Sequence, residues 1–552
     1  MNIRYAPKII VLFLSLFFAN AIFAYQDNPY HEHLVDVKKT QANYGYLLEH
    51  GDDALLARIH LIRNARESID IQTFIWKPDE TGIFLFYELW QAAQRGVKVR
   101  ILIDDLSIRA IHDRVAYLAK LSENIEIKQY NPVADSINIG VVKTVATIAT
   151  QFGKYNHRMH NKIVVVDGQY GITGGRNYQN DYFDRGANRT FLDRDILIIG
   201  SVAGDMSTSF EEYWTNDLAV FSKEMIDVRK TIETDSIKIP DIADGYQAPA
   251  MFSELSKCAS QAACVNERIS SKGTKLDQVE FVADHPGKHE DGDDLAETTE
   301  SLLELISNTQ HKMIFQTPYL VVHKKKLFND LRKENPEMDI IVSTNSLGAA
   351  DHFYAYAFSF KNKKHYLKKF EWQIHEMKPE PLDFSQMIHP IPQIERAKNH
   401  YACIHAKTYL FDNEVVWLGS FNLDPRSVRL NTEAGVIIRD PEFYKLVESN
   451  IELKIIARNA WTTGPRRKIP VISFFNGLIE DIFALIPFAN LWPFTYSTSY
   501  ELRDGGVEMP ISAEDFHKNY KGVGQFPGAR MSPKAIKTRL TKVFLGPAQP
   551  II

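Results

Sequence analysis

Cysteine is scarce in this chain, with three residues among 552. At this length, a small scaffold held together by disulfides is excluded. Glycine and proline, at 28 and 24 residues, are not in excess, and 45% of the residues are hydrophobic. Such a chain can bury a core, so fibrous and disordered classes are excluded as well. The length predicts roughly three to four ordinary domains or two large ones.

Positive charge is also in short supply. The chain has 64 Lys and Arg against 69 Asp and Glu, a net charge of −5. A body that binds polyanions over its whole surface is therefore not expected. The exception is the C-terminal stretch 516–552, which carries seven Lys and Arg and no Asp or Glu. This basic tail is either solvated surface or a means of attraction to anionic lipid or nucleic acid.

The sequence offers little apolar length for a spanning helix. Residues 470–494 are apolar but are interrupted by two acidic residues and two prolines. They fall short of the ~18 uninterrupted apolar residues that a spanning helix needs. Two interpretations stay open for this segment: it packs onto the body of the protein, or it lies in a membrane interface.

The first 24 residues have the order of a secretory signal: basic residues, an apolar run over 9–18, and Ala24 before a polar stretch. We expect cleavage after Ala24, although an uncleaved anchor stays open. The protein is thus expected to be exported, to the periplasm or the periplasmic face of a membrane. In that oxidising compartment Cys258 and Cys264 can close a local disulfide, whereas Cys403 is expected to be a buried strand residue.

An internal repeat is the most informative feature of the chain. The pattern HxK(x)4D(x)6G(G/S)xN runs from His160 to Asn177 and again from His405 to Asn422. Six fixed positions in two copies do not arise by chance in a chain of this length. The two halves are therefore duplicates.

The duplication extends upstream of the motifs. In each half a helical stretch precedes an apolar strand that ends in Gln-Thr, at Gln72 and Gln316, and a second helix leads to another apolar strand. Strands that alternate with helices predict an α/β fold. The predicted organisation is a signal peptide over 1–24, a first half over 25–270, a linker and the start of the second half over 271–295, the rest of the second half over 296–465 and a C-terminal extension over 466–552.

Each motif begins in a predicted strand, where alternate residues share a face. The histidine and the lysine of a motif therefore point the same way. The expected reactive surface consists of His160, Lys162, His405 and Lys407. Asp167 and Asp412 have the opposite parity, so we expect them to face inward, satisfy backbone or side-chain donors and serve mainly a structural role.

A histidine beside a lysine suits a phosphate group, because the ammonium neutralises an oxygen while the imidazole attacks phosphorus or donates a proton. Asn177 and Asn422 can add amide donors, and Ser420 is the one possible hydroxyl donor because Gly175 stands in its place in the first copy. A pseudo-two-fold axis would bring both motifs around one phosphodiester. A metal centre is not expected, since lysine is not a usual ligand.

Each catalytic imidazole also needs a partner for its second ring nitrogen. An apolar strand follows each motif, and aligning the two strands places Glu433 opposite Asp193. We predict these two carboxylates as the orienting groups. Glu433 is the firmer choice, because Asp195 competes with Asp193.

With these motifs the chain resembles the phospholipase D superfamily. The stretches around Gln72, Asp104, Gly174 and 422–433 are similar to bacterial cardiolipin synthases of the C type and to related exported phospholipases D. The similarity covers roughly residues 55–460. It implies two α/β/α sandwich halves related by a pseudo-two-fold axis, with a single active site at their interface.

The resemblance also implies a catalytic set and a reaction. The set comprises His160, Lys162, Asp167, His405, Lys407 and Asp412. In the implied ping-pong route His160 attacks phosphorus, giving a phosphatidyl-histidine, and His405 acts as general acid and base. No metal or other cofactor is implied, and the expected partners are a glycerophospholipid substrate and a membrane surface.

The acceptor stays open at this point. Water would give phosphatidic acid, and phosphatidylglycerol would give cardiolipin, with the same site residues. The alternative is an exported phosphodiesterase or nuclease of the same superfamily. Small exported nucleases of this kind typically carry one motif, dimerise and are basic, whereas this chain carries two motifs and is acidic. Nucleic acid is therefore not the expected partner, and a monomer is expected because one chain holds both motifs.

Overall fold

The structure is a computed structural model that describes residues 28–139, 150–234, 245–288, 296–466, 496–532, 535–536 and 538–540. The predicted signal peptide with its cleavage site, and the apolar segment 470–494, lie outside these residues. No helix within the described ranges is long and apolar enough to cross a membrane.

The first half is built on a nine-stranded sheet with the order β10-β4-β3-β2-β6-β7-β9-β1-β11. Two further short strands, β5 and β8, lie outside this sheet. The strands are β1 (Asn43–Leu48), β2 (Ser68–Thr73), β3 (Lys98–Asp104), β4 (Ile125–Tyr130), β5 (Arg158–Met159), β6 (Ile163–Val166), β7 (Tyr170–Gly174), β8 (Arg189–Leu192), β9 (Asp195–Ile199), β10 (Ala219–Phe221) and β11 (Thr274–Leu276).

The second half is built on a ten-stranded sheet with the order β12-β20-β18-β17-β13-β14-β15-β21-β22-β23. Here β16 and β19 lie outside the large sheet. The strands are β12 (Val279–Ala283), β13 (Lys312–Gln316), β14 (Asp339–Asn345), β15 (Gln373–Met377), β16 (Tyr401–Ile404), β17 (Lys407–Phe411), β18 (Val415–Gly419), β19 (Asn431–Thr432), β20 (Ala434–Arg439), β21 (Ala460–Pro465), β22 (Ser497–Leu502) and β23 (Tyr520–Gly524).

Helices connect and cover these strands. The helices of the first half are His31–Thr40, Gly51–Asn64, Glu80–Gln94, Asp105–Ile108, His112–Leu121, Phe152–Asn156, Ser201–Thr215, Ile226–Thr234, Ser253–Ala259 and Ala262–Arg268. Those of the second half are Glu297–Asn308, Lys325–Glu334, Phe353–His365, Phe384–Met387, Pro425–Arg429, Pro441–Ile455 and Phe516–Asn519.

The duplication predicted from the sequence is confirmed strand by strand. Eight strands of the first sheet, from β10 to β1, occur in the same order as eight strands of the second, from β21 to β12. In each half three central strands are parallel, which requires helical crossovers. The motif strand, β6 or β17, then joins antiparallel to the first of them. The predicted α/β fold with two similar halves is thus the observed one.

The two large sheets share an apolar core. It combines first-half residues such as Ile163 and Ile196 with second-half residues such as Leu410 and Val436, all buried. The helix Pro441–Ile455 contributes Phe443 and Val447 to the same cluster. Burial of apolar surface stabilises a protein by ~25 cal/mol per Å², so this shared core holds the two halves together as one body.

Two short parallel strand pairs also join the halves. β5 of the first half pairs with β19 of the second, and β8 of the first half pairs with β16 of the second. Each pair stands outside the two large sheets, at the edge where the motifs begin. These pairs position the site residues.

The boundaries between the parts differ from those expected. The first half extends past residue 270, because β11 still belongs to the first sheet. β12 already belongs to the second sheet, so the linker is only Asp277–Gln278 and the second half begins with β12, inside the range up to 295. Part of the predicted extension also belongs to the body of the protein, because β22 and β23 lengthen the second sheet. The sequence could not show this, since these strands have no counterpart in the first half.

The cysteines lie as predicted. Cys258 and Cys264 form a disulfide with a Cα–Cα distance of 5.3 Å, which links the helices Ser253–Ala259 and Ala262–Arg268. Cys403 is a buried free thiol in β16. The disulfide fixes two short helices that pack on the helix Gly51–Asn64.

Candidate active site

His160 is placed by the pairing of β5 with β19. Met159 lies opposite Thr432, so the next residues of the two strands, His160 and Glu433, come side by side. His160 Nδ1 and Glu433 Oε2 are 2.7 Å apart, and both side chains are buried. Because an ionised carboxylate can only accept, Nδ1 donates the hydrogen bond and Nε2 is left for a substrate.

His405 is placed by the corresponding pair, β8 with β16. Ile404 lies opposite Leu192, which brings His405 beside Asp193. His405 Nδ1 and Asp193 Oδ2 are 2.6 Å apart. Each histidine is therefore oriented by a carboxylate of the other half. The sequence suggested the two carboxylates, and the structure shows that each of them contacts the histidine of the other half.

Both imidazoles have lowered pKa values. Burial is the main cause that lowers the pKa of His160 to about 4; Glu433 opposes the shift, and Lys162 adds to it. Burial and then Lys407 lower the pKa of His405 to about 4, with Asp193 opposing. Both rings are therefore neutral near pH 7 in the substrate-free protein.

The carboxylates stay ionised in spite of their burial. Burial alone would raise the pKa of Glu433, but His160 and Lys162 lower it below its usual value. The pKa of Asp193 is lowered in the same way, by His405 and Lys407 against the effect of burial. The site thus combines two ionised carboxylates and two lysine side chains around two neutral imidazoles.

The two motif lysines lie directly beside the imidazoles. Lys162 Nζ donates to the carbonyl of His160, and Lys407 Nζ donates to the carbonyl of His405. Lys407 Nζ also lies 2.7 Å from Nδ1 and 3.2 Å from Nε2 of His405. Burial lowers the pKa of Lys162 to about 7, and that of Lys407 is lowered too. Two buried ammonium groups of this kind suit an anionic phosphodiester.

The two motif aspartates lie at the far end of the motif strands. Asp167 has a φ of 51° and accepts hydrogen bonds from the backbone N–H groups of Arg66, Glu67 and Ser68. Asp412 has a φ of 49° and accepts from Gln310, His311 and Lys312. Both aspartates tie the turn after the motif strand to the start of the neighbouring strand. As expected, both satisfy backbone donors. They do so from turns that follow β6 and β17, and the motif histidines lie before these strands, so the strand parity used for the expectation does not apply.

Asn177 is close to the site but is already hydrogen-bonded. Its Nδ2 donates to the Tyr182 hydroxyl at 2.9 Å, and its Oδ1 accepts from the backbone N–H of Ile75 at 3.1 Å. The Tyr182 oxygen in turn lies 3.2 Å from His405 Nε2. Asn177 thus acts on the site through Tyr182, a residue that the motif pattern did not single out. By contrast, the buried Oδ1 of Asn422 has no hydrogen-bond partner in the described part of the chain.

Ser420 does not point its hydroxyl at a substrate. Its Oγ donates to Glu433 Oε2 at 2.5 Å and accepts from the backbone N–H of Ala434 at 3.0 Å. Ser427 Oγ donates to the other oxygen of Glu433 at 2.7 Å. The expected phosphate-binding role of Ser420 is therefore replaced by a positioning role, because its one proton is used by the carboxylate that holds His160.

Asp104 and Asn345 are two further positioning residues, which the motif pattern did not predict. Asp104 Oδ2 accepts from the backbone N–H of Met159 at 3.0 Å, and Asn345 Oδ1 accepts from that of Ile404 at 2.8 Å. Each holds the residue that precedes a catalytic histidine, and each ends the equivalent strand, β3 or β14. These two residues occupy equivalent positions in the two copies of the repeat, and that equivalence could have identified them. It was not apparent, because the first copy has Asp at this position and the second has Asn.

No group of three or more His, Cys, Asp or Glu side chains within the described ranges is arranged to hold a metal ion. The side chains that converge on the site are instead two imidazoles, two ammonium groups and two carboxylates. Such a set can bind a phosphate anion, attack phosphorus and move one proton.

Comparison with known proteins places this geometry in a family. The model of the family described as cardiolipin synthase, PLD-like domain, matches the chain twice, over residues 58–214 and 302–454. Each match contains one motif and the carboxylate that follows it, Asp193 in the first and Glu433 in the second. The two matches therefore coincide with the two halves of the site.

Relatives match over most of their own length. An uncharacterized protein of Helicobacter pylori strain 26695 is 30% identical over 475 residues, 82% of this chain and 90% of that protein. Cardiolipin synthase C of Escherichia coli K12 is 29% identical over 408 residues, 73% of this chain and 82% of that protein. The crystal structure of phosphatidylserine synthase from Haemophilus influenzae shares the fold, with a TM-score of 0.51 and 16% identity over 80% of this chain and 94% of that one.

The duplicated motif, the crossed histidine–carboxylate pairs and the two family matches lead to one conclusion. The chain is an enzyme of the phosphodiesterase and phosphatidyltransferase class, and it belongs to the phospholipase D-like family.

Proposed function

We propose that this enzyme transfers the phosphatidyl group of a glycerophospholipid to an alcohol or to water through a phosphohistidine intermediate. The observation that carries the proposal is the pair of imidazoles in one site, each held at Nδ1 by a carboxylate of the other half. The similarity to cardiolipin synthase C of Escherichia coli supports a phospholipid as substrate. One site with two histidines also suits a reaction in two displacements.

We assign the attack to His160. Its neutral Nε2 forms a bond to phosphorus while the bond from phosphorus to the alcohol oxygen of the headgroup breaks. His405 gives the proton that this oxygen needs. In the second displacement the acceptor alcohol or water loses its proton to His405, its oxygen bonds to phosphorus, and the bond to His160 breaks. The two roles are complementary, so neither imidazole replaces the other.

Contacts at Nε2 support this assignment. The Tyr182 hydroxyl lies 3.2 Å from His405 Nε2 and can accept from it when the ring is protonated. Glu433 holds His160 at Nδ1, which leaves Nε2 directed away from the carboxylate, as a nucleophile requires. A bound phosphate anion would offset the charges of Lys162 and Lys407, and this raises the proton affinity of His405 when an acid is needed.

The test of the substrate uses purified protein and vesicles of labelled phosphatidylethanolamine and phosphatidylglycerol, with and without a primary alcohol. Cardiolipin as main product identifies a synthase. Phosphatidic acid, or a phosphatidyl-alcohol when alcohol is present, identifies a phospholipase D. No lipid product, together with degradation of single-stranded DNA, would contradict the proposal and favour a nuclease.

The histidines provide the first mutational test. His160→Ala and His405→Ala should each lower turnover at least ~1,000-fold, since each removes one half of the acid and nucleophile pair. Rapid denaturation of His405→Ala in detergent at neutral to alkaline pH, which preserves a phosphorus–nitrogen bond, should trap label from labelled lipid on the protein if His160 is the nucleophile. Label trapped on His160→Ala instead would reverse the two roles.

We also propose that the enzyme works outside the cytoplasm, at a membrane surface. The disulfide of Cys258 with Cys264 supports an oxidising compartment. Exposed aromatic side chains, Phe152 at 41% and Tyr354 at 49%, are available to enter a lipid surface. Cell fractionation and intact-mass analysis test the location: mature protein in the periplasm that begins near Tyr25 is expected, and a cytosolic pool with Met1 would contradict it.

A further inference from the structure

A carboxylate outside both motifs lies on the His405 side of the site. Asp351 follows β14, at the edge where the carboxyl ends of the parallel strands β13, β14 and β15 meet. In α/β sheets this edge is where ligands bind. The Asp351 side chain is only 6% exposed.

The two oxygens of Asp351 differ. Oδ2 accepts a hydrogen bond from the Tyr319 hydroxyl at 2.9 Å. Oδ1 is buried and has no hydrogen-bond partner among the residues that the structure describes. A buried, unpaired carboxylate oxygen is costly, and a donor from a ligand would remove that cost.

Asp351 is close enough to act electrostatically on the catalytic groups. Burial lowers the pKa of His405 and of Lys407, and Asp351 is among the carboxylates that oppose this shift. It also raises the pKa of Tyr182, after burial and Asp193. Its charge therefore reaches the side of the phosphate site where Tyr182 and His405 Nε2 face each other.

The His160 side contains guanidinium groups, which are partly paired with carboxylates. Arg158 lies two residues before His160, is buried, and places Nη1 3.4 Å from Asp104 Oδ1. Arg426 lies next to it and donates to the carbonyl of Asn156 at 3.3 Å. One side of the reacting phosphate thus has guanidinium groups, and the other has a carboxylate with two tyrosine hydroxyls.

We propose that Asp351, held by Tyr319, forms the subsite for the alcohol part of the substrate and selects alcohols that carry a second hydrogen-bond donor, either a hydroxyl or an ammonium group. This inference rests on the proposed function, in which His405 protonates the leaving alcohol and deprotonates the acceptor. By microscopic reversibility both alcohols occupy the same place. Asp351 therefore binds both the headgroup of the donor lipid and the acceptor alcohol.

The test compares three acceptors of one shape: 1-propanol, ethylene glycol and ethanolamine. They differ only in the terminal group, which is a methyl, a hydroxyl or an ammonium. All three react with the same phosphohistidine formed from one labelled lipid. The ratio of products therefore reports the acceptor subsite and is independent of the first displacement.

Asp351→Asn keeps the size of the side chain and removes the charge. We expect it to lower the ratios of ethanolamine product and ethylene glycol product to propanol product by roughly tenfold to a hundredfold, the value of a hydrogen bond to a charged group. A larger fall for ethanolamine assigns the subsite to ammonium headgroups, and equal falls assign it to hydroxyl and ammonium alike. Tyr319→Phe should shift the ratios in the same direction by less, and it carries the test if Asp351→Asn does not fold. Asp330→Asn, on the exposed face of the helix Lys325–Glu334, is the control.

Other outcomes overturn the inference. If Asp351→Asn lowers all three products equally, Asp351 only tunes His405 and Lys407. If no ratio changes in either variant, the subsite lies elsewhere. If the enzyme transfers to water alone, the same comparison is made by hydrolysis of phosphatidylethanolamine and phosphatidylglycerol against phosphatidylcholine, whose headgroup has no donor. Wild-type protein that cleaves no phospholipid would contradict the proposed function, whereas cleavage with unchanged ratios contradicts the subsite alone.

Discussion

The two motifs differ at one of their six fixed positions, and that difference matches the carboxylate behind it. Ser420 in the second copy donates to Glu433, whereas Gly175 in the first lies against Asp193. A Cβ on Gly175 would lie 2.1 Å from Asp193 Oδ1. The motif position and the carboxylate behind it therefore vary together: Ser420 packs against Glu433 in the second half, and Gly175 packs against Asp193 in the first.

This pairing predicts a double-mutant cycle. Gly175→Ser alone should lower kcat at least ~10-fold, because it displaces Asp193 from His405. Adding Asp193→Glu should recover part of the loss, since the double variant reproduces the pair of the second half. Steady-state kinetics of the four proteins measure the coupling. Additive losses in the double variant would show that the two positions are independent.

The lowered pKa values predict the pH dependence of the free enzyme. Below the His160 pKa of about 4 the nucleophile is protonated and inactive, and above the Lys162 pKa of about 7 a phosphate-binding charge is lost. We expect kcat/KM for a soluble phosphodiester to fall below roughly pH 4, where His160 is protonated, and to decline at higher pH, because His405 must take up a proton before it acts as acid; the decline steepens above roughly pH 7, where Lys162 loses its charge. Lys162→Arg should move the alkaline limb upward and leave the acid limb in place. An acid limb near ~6.5 would mean that the imidazoles have ordinary pKa values.

At the scale of elements, the motif aspartates stabilise turns. Asp412 accepts three backbone N–H groups at the junction of β13 and β17, and its counterpart Asp167 does the same in the first half. Both have left-handed backbone conformations that suit Asp. In each motif the histidine thus lies before the strand, at the site, and the aspartate stabilises the turn after the strand.

Asp412→Ala should therefore destabilise the protein by about 2 kcal/mol, since three partly exposed donors lose a charged acceptor. Thermal or urea unfolding measures the loss, and Asp412→Asn should give a smaller one. Turnover per folded molecule should fall far less than in His405→Ala. A loss of turnover as large as that of the histidine variant, with unchanged stability, would place Asp412 in the chemistry.

At the scale of the whole molecule, the exposed aromatic side chains predict how the enzyme meets its substrate. Phe152→Ala with Tyr354→Ala should weaken binding to phospholipid vesicles by roughly 10-fold or more, because each ring would enter the interface. Leu446→Ala removes an equally exposed apolar side chain, 40% exposed on the helix Pro441–Ile455, and serves as control. Vesicle sedimentation measures binding. Equal effects of both changes would argue against a membrane-binding face formed by these rings.

The sequence by itself determined the enzyme class and the fold class. The duplicated histidine, lysine and asparagine spacing indicates a phosphodiester site, and the alternation of apolar strands with helices indicates two α/β halves, because such signals are local and periodic. The expectation that Asp167 and Asp412 satisfy backbone donors also came from the sequence, although the structure places both in turns where strand parity does not apply. These features needed no knowledge of distant contacts.

Only the tertiary structure decided which groups meet. The contacts of His160 with Glu433 and of His405 with Asp193 join residues 273 and 212 positions apart, through two-residue and four-residue strand pairs too short to leave a pattern. The same holds for Tyr182, whose hydroxyl lies 3.2 Å from His405 Nε2 across the two halves. Long-range pairing depends on how two folded halves pack, and that packing is a property of the whole chain and not of any segment within it.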